Sequence, residues 1–263
     1  RWWATKTRYP PYIRWWATKT RYPPYTDLIK IKIMEPLPVA CRNLSKTYQQ
    51  GKVTIPALVD INLDIPKGDF VCLSGPSGSG KSTLLNLLSG LDIPTTGEIE
   101  IDGQRVDKMG KSALADMRLH KIGFVFQAYN LIPVLSAQEN VEFVMQLQGV
   151  SSHERADKAR HVLKEVGLEG LENRRPGDLS GGQQQRVAVA RAIVSEPSLI
   201  LADEPTANLD SQTADALMQL LRTMNQEHQV TFLFSTHDQL VMSYSKRLIK
   251  LRDGRIDGDE QQV

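Results

Sequence analysis

The sequence predicts an α/β fold built on a mostly parallel, twisted sheet. Short apolar runs typical of buried strands alternate along the chain with stretches of helical periodicity. A glycine-rich loop joins one such run, 70–73, to a predicted helix at 83–88. Strands that alternate with helices around a loop of this kind are typical of a doubly wound parallel sheet.

The glycine-rich loop, 75–82, has the pattern G-x-x-x-x-G-K-[ST] of a phosphate-binding loop. Its glycines let the backbone wrap closely around a polyphosphate, whose charge the freed N–H groups and the helix dipole stabilise. Lys81 is predicted to reach the β- and γ-phosphates, and the Ser82 hydroxyl to hold Mg²⁺. The residues predicted to bind the nucleotide here are Ser77, Gly78, Ser79, Gly80, Lys81, Ser82 and Thr83. The loop therefore predicts a site for a nucleoside triphosphate.

Length and composition are those of an ordinary globular protein. The chain has 263 residues, of which 41% are hydrophobic and 24% charged. No apolar run approaches the roughly 20 residues that a membrane-spanning helix needs, so membrane association is expected only through a partner. The two cysteines, Cys41 and Cys72, form no disulfide framework, and a reduced, cytosolic location is expected.

The first 33 residues differ from the rest in charge and in pattern. They carry eight Lys or Arg and one acid, whereas 34–263 carry 24 basic and 29 acidic residues. Residues 1–12 and 14–25 are identical repeats that contain all four tryptophans. We interpret 1–33 as a non-native or disordered tail, from cloning or an early start, with Met34 as the natural first residue. A basic, aromatic arm on an anionic membrane is the alternative.

Residues 34–263 are predicted to form one domain, and their mildly acidic charge does not favour nucleic acid as a partner. Five short runs in its first half predict strands: 39–44, 57–65, 70–73, 97–103 and 122–126. Tyr48 lies in a polar segment between the first two runs and is predicted to be in a loop. The last of the five runs ends in Gln127.

After Gln127 the pattern becomes that of helices. Ser136 and Ser151 each begin an S-x-x-E sequence, the form of a capping box, so 128–178 is predicted to be a helical insert. Another helix is predicted to begin at Ser180. Two further apolar strands are predicted, at 199–202 and 230–234.

Two acids follow the strand at 199–202. Asp203 stands where a metal-positioning acid is needed, and Glu204 is predicted to polarise the attacking water. An adjacent acid pair taken alone would equally suit a solvated turn. The upstream phosphate loop, together with Gln127 and His237 at the ends of other strands, favours the catalytic interpretation.

A second anion site is predicted at Ser180, Gly181, Gly182 and Gln183, which open a helix with a hydroxyl and bare amides. One chain already has its phosphate loop, so this second site has no obvious ligand within a monomer. Two copies packed head-to-tail would let Ser180 of each cap the γ-phosphate held by Lys81 of the other. The pattern therefore predicts a head-to-tail homodimer that depends on the bound nucleoside triphosphate.

These motifs together resemble those of the nucleotide-binding subunit of ABC transporters, over roughly 38–257. The likeness includes the signature stretch 179–183 and the turn 208–210. It implies ATP and Mg²⁺ as ligands and a fold with a mostly parallel sheet core, an antiparallel β subdomain and a helical subdomain. It also implies that Tyr48 stacks on the adenine.

The resemblance assigns further roles to residues at the strand ends. Gln127 corresponds to the glutamine loop and His237 to the switch histidine of the family. The implied metal-binding residues are Ser82, Gln127 and Asp203. The implied catalytic residues are Glu204, His237, Gln127 and Lys81.

Within the family, the stretches 122–127, 131–140 and 201–210 are similar to the macrolide-export and lipoprotein-release branch, although that branch more often has Gly at the position of Ala207. This branch implies a homodimer beneath an integral membrane permease, on the cytoplasmic face of the cell membrane. Residues 128–148 are then expected to form the groove that receives the permease, and no nucleic-acid partner is expected.

Two other functions are weighed against this one. A soluble ABC ATPase that acts on nucleic acid or ribosomes usually has two cassettes, a coiled coil or a zinc insertion, which this sequence lacks. A small-molecule kinase with a phosphate loop has no use for the stretch 179–183.

Overall fold

The computed structural model describes residues 37–262. The interpretation of 1–33 as a tail lies outside the described residues. The strands are β1 (Val39–Gln50), β2 (Val53–Ile65), β3 (Phe70–Ser74), β4 (Thr96–Ile101), β5 (Gln104–Arg105), β6 (Ile122–Phe126), β7 (Leu199–Asp203), β8 (Thr231–Ser235), β9 (Arg247–Arg252) and β10 (Arg255–Gln261). The helices are α1 (Lys81–Leu88), α2 (Lys111–Lys121), α3 (Ala137–Leu147), α4 (Ser152–Glu165), α5 (Gly181–Ile193), α6 (Ser211–His228) and α7 (Gln239–Tyr244).

A six-stranded sheet, in the order β10-β9-β3-β8-β7-β6, carries the phosphate loop. Its strands β9, β3, β8, β7 and β6 run parallel, and only β10 pairs antiparallel to its neighbour. The central strand β3 is buried along its whole length, as expected for a strand covered on both faces. The prediction of a mostly parallel sheet is confirmed.

A second sheet of four antiparallel strands has the order β2-β1-β4-β5. The predicted loop around Tyr48 is wrong, because β1 continues to Gln50 and Tyr48 pairs with Ile55 of β2. The end of β1 is solvent-exposed, and Gly51 turns the chain with a φ of 62°. An exposed hairpin tolerates polar side chains, so the polar composition of this segment did not predict a strand.

The large sheet divides the apolar interior into two clusters, since successive side chains of each strand point to opposite faces. On one face, residues such as Phe70, Phe232 and Phe234 pack against the helices α3 to α6. On the other face, residues such as Val71 and Leu73 pack against α1, α2 and the antiparallel sheet. The strands are fixed from both sides, so their ends form a rigid edge.

The segment predicted as a helical insert contains α3 and α4, but 128–136 is not helical. Ser136 and Glu139 form the predicted capping box in full. Ser151 accepts from the N–H of Glu154, which is one of the two bonds of the second box. The boundaries 34–263 and 128–178 remain predictions. Between residues 37 and 262, none of the helices has the length and apolar character required to cross a bilayer.

Candidate active site

The phosphate loop leads from the buried strand β3 into α1 through a close backbone contact at Gly80. A side chain there would place its Cβ 2.6 Å from the carbonyl oxygen of Ala57, and the residue has a φ of 106°. Only glycine suits both conditions. No side chain caps α1, and no acid lies in its first turn. The N–H groups of this helix end are therefore left for an anion.

The ammonium group of Lys81 lies inside this loop. It donates to the carbonyl oxygens of Gly75 at 2.7 Å and of Pro76 at 3.1 Å. No carboxylate among residues 37–262 forms a salt bridge with it. A lysine without an acidic partner, beside an uncapped helix N-terminus, makes this end of the cleft electropositive.

Asp203 ends β7 on the same edge of the sheet. Burial raises its pKa and the charge of the adjacent Glu204 adds to the rise, which the charge of Lys81 offsets only in part. Within the described residues it has no salt-bridge partner. A divalent cation would favour its charged form. The Ser82 hydroxyl and the Gln127 amide line the same cleft, so the donor set offers oxygen atoms, which Mg²⁺ prefers.

Glu204 is held by contacts from the end of β8. Its N–H donates to the carbonyl oxygen of Ser235 at 2.8 Å, and its Oε2 accepts from the Thr236 hydroxyl at 2.9 Å. Its Oε1 lies 2.7 Å from Nδ1 of His237, a distance at which a carboxylate accepts from Nδ1–H. Glu204 also has a φ of 47°, a strained conformation for a residue other than glycine. Both carboxylate oxygens are therefore fixed in position.

These groups share one cleft of about 700 Å³. It is lined by Gly75, Pro76, Ser77, Gly78, Gly80, Lys81, Ser82, Thr83, Gln127, Asp203, Glu204, Ala207, Ser235, His237 and Ala57. The structure thus brings together the predicted loop, both acids, the glutamine and the histidine. Ser79 is part of the loop but buried, 2% exposed, and its hydroxyl has no hydrogen-bond partner among residues 37–262.

Tyr48 is not among the residues that line this cleft. It lies on β1 and is 39% exposed, with its hydroxyl bonded to Asp92 at 2.7 Å. The pKa of the Tyr48 phenol is raised, by burial first and then by the bond to Asp92, whereas the Thr83 hydroxyl lowers it. Tyr48 pairs with Ile55 of β2, and Ala57, two residues further along that strand, lines the cleft, so Tyr48 stands at its border.

The signature residues also lie outside the cleft. Ser180 caps α5 by accepting from the N–H of Gln183 at 3.3 Å, and the Gln183 side chain accepts from the N–H of Ser180 at 2.9 Å. The N–H groups of Ser180 and Gln183 are therefore bonded within the chain, whereas those of Gly181 and Gly182 take no part in either of these two bonds. Ser180 is exposed, so its hydroxyl faces away from the interior of its own chain.

Several contacts that connect the site could not be predicted from local sequence patterns. Thr236 binds Glu204, and the Asn208 side chain donates to the carbonyl oxygen of Gln127 at 2.8 Å. Gln185 is fully buried and donates to the carbonyl oxygen of Pro205, next to Glu204, at 2.8 Å. Each contact joins residues at least 20 positions apart, which no local pattern reveals.

A parallel sheet whose strand ends hold a phosphate loop and an acid pair defines a P-loop nucleoside triphosphatase. The sequence pattern of the family described as "ABC transporter" matches residues 58–207. Together with the relatives described next, this match shows that the chain belongs to the ABC transporter family and is an ATPase of the ABC type.

Two curated relatives cover most of the chain. The uncharacterized ABC transporter ATP-binding protein MJ0796 of Methanocaldococcus jannaschii is 46% identical over 227 residues, which are 85% of this chain and 97% of the relative. An uncharacterized ABC transporter ATP-binding protein of Thermotoga maritima is 46% identical over 82% of this chain and 92% of the relative.

Solved structures agree with the described fold. A dimeric, post-hydrolysis structure of the ATP-binding cassette MJ0796, bound to ADP and Pi, matches 85% of this chain and 98% of that one at a TM-score of 0.78 and 46% identity. The structure of cbiO1 from Clostridium perfringens, described as part of the ABC transporter complex cbiONQ, matches at a TM-score of 0.78 and 30% identity, over 86% of this chain and 89% of that one. The predicted fold, with its two subdomains, is confirmed.

Proposed function

We propose that this chain is the motor subunit of a membrane transporter, which dimerises head-to-tail on ATP and drives a permease. One observation carries the proposal. The uncapped helix end that holds Lys81 and the exposed end of α5 at Ser180 are separate sites, and only the first belongs to the cleft. When two copies face each other head-to-tail, the N-terminus of α1 in one copy and that of α5 in the other can bind the same phosphate.

In this proposal the phosphate loop residues 77–83 bind the phosphates of ATP. Lys81 leaves its carbonyl partners to pair with the β- and γ-phosphates, a stronger, charge-assisted interaction. Tyr48 stacks on the adenine from the border of the cleft. Glu204 orients the attacking water and accepts its proton, and His237 fixes the direction of that carboxylate through the contact at Nδ1.

The residues suited to hold Mg²⁺ are Ser82, Gln127 and Asp203. Bound there, Mg²⁺ would neutralise charge on the phosphates. Asp203 is suited to this role because its carboxyl is half-buried without a cationic partner in the described chain. The two adjacent acids thus have different proposed roles: Asp203 binds the metal, and Glu204 acts on the attacking water.

Ser180, Gly181, Gly182 and Gln183 bind the γ-phosphate of the partner's ATP in the proposed dimer. The Ser180 hydroxyl gives up the bond that it accepts from the N–H of Gln183. At 3.3 Å this hydrogen bond is long and therefore weak, so the phosphate replaces it easily. The N–H groups of Gly181 and Gly182 add to this site. The dimeric MJ0796 cassette with ADP and Pi supports this arrangement, since that relative is described as dimeric after hydrolysis.

An apolar groove of about 510 Å³ suits the permease. We use the name docking groove for it, and it is lined by Leu91, Ala115, Arg118, Leu119, Ile122, Gly123, Phe124, Phe126, Asn130, Ile132, Phe143, Val144, Leu147, Arg191, Ala192 and Ser195. Within the range 128–148 expected to form the groove, Ile132 lines it, whereas Leu131 packs on the core. Val134 is 71% exposed but lies outside the groove.

Charge in the docking groove favours an amphipathic partner with an acidic group. Within the part of the chain that the structure describes, Arg191 donates only to the carbonyl oxygens of Asn130 at 2.6 Å and Tyr129 at 2.9 Å, and Arg118 only to that of Gly90 at 2.8 Å. Neither has a carboxylate partner among residues 37–262. A permease helix with apolar side chains and one carboxylate would satisfy both features.

The physiological setting proposed for the complex is the cytoplasmic face of the cell membrane. The similarity of residues 122–127, 131–140 and 201–210 to the macrolide-export and lipoprotein-release branch favours export, lipoprotein release or mechanotransmission. The relative cbiO1, described as part of an ABC transporter complex, supports a permease partner. No nucleic-acid partner is proposed.

The test uses Glu204→Gln, which keeps the shape of the side chain but removes the charge that draws a proton from water. ATP hydrolysis should fall by about 10²–10⁴-fold, the usual effect of a lost general base. Binding should persist, because Lys81 and Ser82 are intact. Light scattering after size exclusion should then show a dimer with ATP and Mg²⁺ and a monomer without nucleotide.

Adding Ser180→Arg should restore the monomer, because a bulky cation cannot occupy the position of the hydroxyl beside the partner's γ-phosphate. The matched control is Ser151→Arg, which also replaces an exposed serine at a helix N-terminus. It should leave the Glu204→Gln dimer intact. A Glu204→Gln protein that binds ATP but stays monomeric at high concentration would contradict the head-to-tail dimer.

A further inference from the structure

Asp92 anchors the phenol of Tyr48. The Tyr48 hydroxyl donates to Oδ2 of Asp92 at 2.7 Å, and the Lys46 ammonium donates to Oδ1 at 2.6 Å. The N–H of Ile93 donates to the same Oδ1 at 2.7 Å. Burial alone would raise the pKa of Asp92, but the bonds from Lys46 and Tyr48 outweigh it, so the pKa is lowered. An ionised carboxylate therefore joins the two side chains.

Lys46 covers one face of the tyrosine ring. Its nitrogen lies 4.9 Å from the centroid of the Tyr48 ring, within the range of a cation–π contact. It is itself fixed by the carbonyl oxygen of Ile93 at 2.7 Å. With its hydroxyl tied and one face covered, the ring has a defined orientation although Tyr48 is 39% exposed. A planar ligand then has a single ring face on which to stack.

The anchor belongs to the same element as the phosphate loop. Asp92 follows α1, and its N–H donates to the carbonyl oxygen of Asn86 in that helix at 3.1 Å. Tyr48 also pairs with Ile55 of β2, two residues before Ala57, which lines the cleft of the phosphate loop. One short helix therefore connects the phosphate loop to the support of Tyr48.

We propose that Asp92, together with Lys46, positions Tyr48 so that its open face receives the base of the nucleotide whose phosphates bind at α1. This inference rests on the proposed function, in which Tyr48 stacks on adenine. The anchored ring loses little freedom when the base binds, and a restrained side chain lowers the entropic cost of association. Asp92 itself is a positioning residue, since it acts through Tyr48.

The test measures binding by the full chain of a non-hydrolysable ATP analogue and of inorganic tripolyphosphate, which lacks the base. Tyr48→Phe keeps the ring and removes the anchored hydroxyl, and Asp92→Ala removes the acceptor. Each should raise the dissociation constant of the analogue about three- to tenfold, as expected for one lost hydrogen bond. The double variant should bind the analogue no more weakly than Asp92→Ala alone, because the one bond that Tyr48→Phe removes is already lost when Asp92 is replaced.

Tripolyphosphate affinity should stay unchanged in every variant, which a general loss of structure would not allow. The matched control is Asp116→Ala, an exposed acid on α2 whose side chain is 75% exposed. It should bind both ligands as the unchanged chain does. Additive losses, tighter binding of the analogue by Asp92→Ala, or an equal loss of tripolyphosphate affinity would each overturn the inference.

Tyr48→Ala separates this inference from the function on which it rests. If that variant binds the analogue normally, Tyr48 does not stack on the base, and the proposed adenine contact is wrong. If Tyr48→Ala weakens binding while Tyr48→Phe and Asp92→Ala do not, the stacking stands and only the anchoring by Asp92 is wrong.

Discussion

Lys81 combines two features that seldom occur together at a protein surface. Among residues 37–262, its ammonium donates only to the backbone carbonyls of Gly75 and Pro76, and it stands beside helix N–H groups that also lack a side-chain cap. A positive charge next to the positive end of a helix dipole is unfavourable unless an anion binds to both groups. The residue is therefore placed for a polyanionic ligand.

The first prediction follows from this placement. Lys81→Ala should raise the dissociation constant for ATP about ten- to a hundredfold, the effect of one lost charge-assisted contact, and should abolish measurable hydrolysis. Calorimetric titration and a phosphate-release assay would measure the two effects. The control is Lys67→Ala, outside the cleft. Wild-type ATP affinity in Lys81→Ala would contradict the assigned phosphate site.

The residues of the site differ in how far the sequence predicts them. Lys81, Asp203 and Glu204 lie in patterns of a few consecutive residues, each next to an apolar strand, so local sequence was enough to place them in one cleft. Tyr48 was predicted only from the family resemblance. Its support by Asp92 could not be predicted, because the two residues are 44 positions apart and pair only after the sheets have formed.

At the scale of elements, α5 and α6 meet where a glycine is required. A side chain at Gly182 would place its Cβ 2.4 Å from Cγ2 of Thr213, in the first turn of α6. Thr213 is held there by Asp210, which accepts from its hydroxyl at 2.6 Å and caps the helix. The two helix ends thus share a contact that leaves no space for a methyl group.

Gly182→Ala is therefore expected to displace the start of α6. An inserted methyl group of this kind costs roughly 1–3 kcal/mol of stability, which urea unfolding would measure. Adding Thr213→Ser should recover most of the loss, because serine keeps the hydroxyl bond to Asp210 and lacks the clashing methyl. Failure of the second change to restore stability would show that the contact is not the cause.

Elements with apolar periodicity agree with their sequence predictions, as at β3, β7 and β8. Two of the elements that were not predicted, β10 and α2, have little apolar character, whereas β9, which was not predicted either, buries Leu248, Ile249 and Leu251. β10 is mostly exposed and polar, and it forms only because β9 offers it an edge for pairing. The helix α2 contains many charged residues and buries only Leu114 and Met117. Tertiary contacts determine the secondary structure of such segments, so local composition did not predict it.

At the scale of the whole molecule, the docking groove lies between the helical segment and the large sheet. α3 supplies Phe143 and Leu147 to one wall, and α2 and β6 supply Leu119 and Phe124 to the other. Phe143 is 37% and Leu147 58% exposed. Leaving these apolar side chains in water costs free energy, which a bound partner would recover by covering them. Motion of α3 relative to the sheet would therefore reach the partner directly.

The last prediction tests this groove. Leu147→Glu places a charge on its apolar wall, so a permease segment seated there would have to bury that charge or leave. In pull-downs from detergent-solubilised membranes, we expect the variant to capture the proposed permease at least about tenfold more weakly than the unchanged chain does. ATP-dependent dimerisation in the Glu204→Gln background should persist, because Leu147 neither lines the cleft nor belongs to the start of α5. The control is Val134→Glu, since Val134 is more exposed than Leu147 but outside the groove. Permease binding by Leu147→Glu as strong as that of Val134→Glu would show that the partner docks elsewhere.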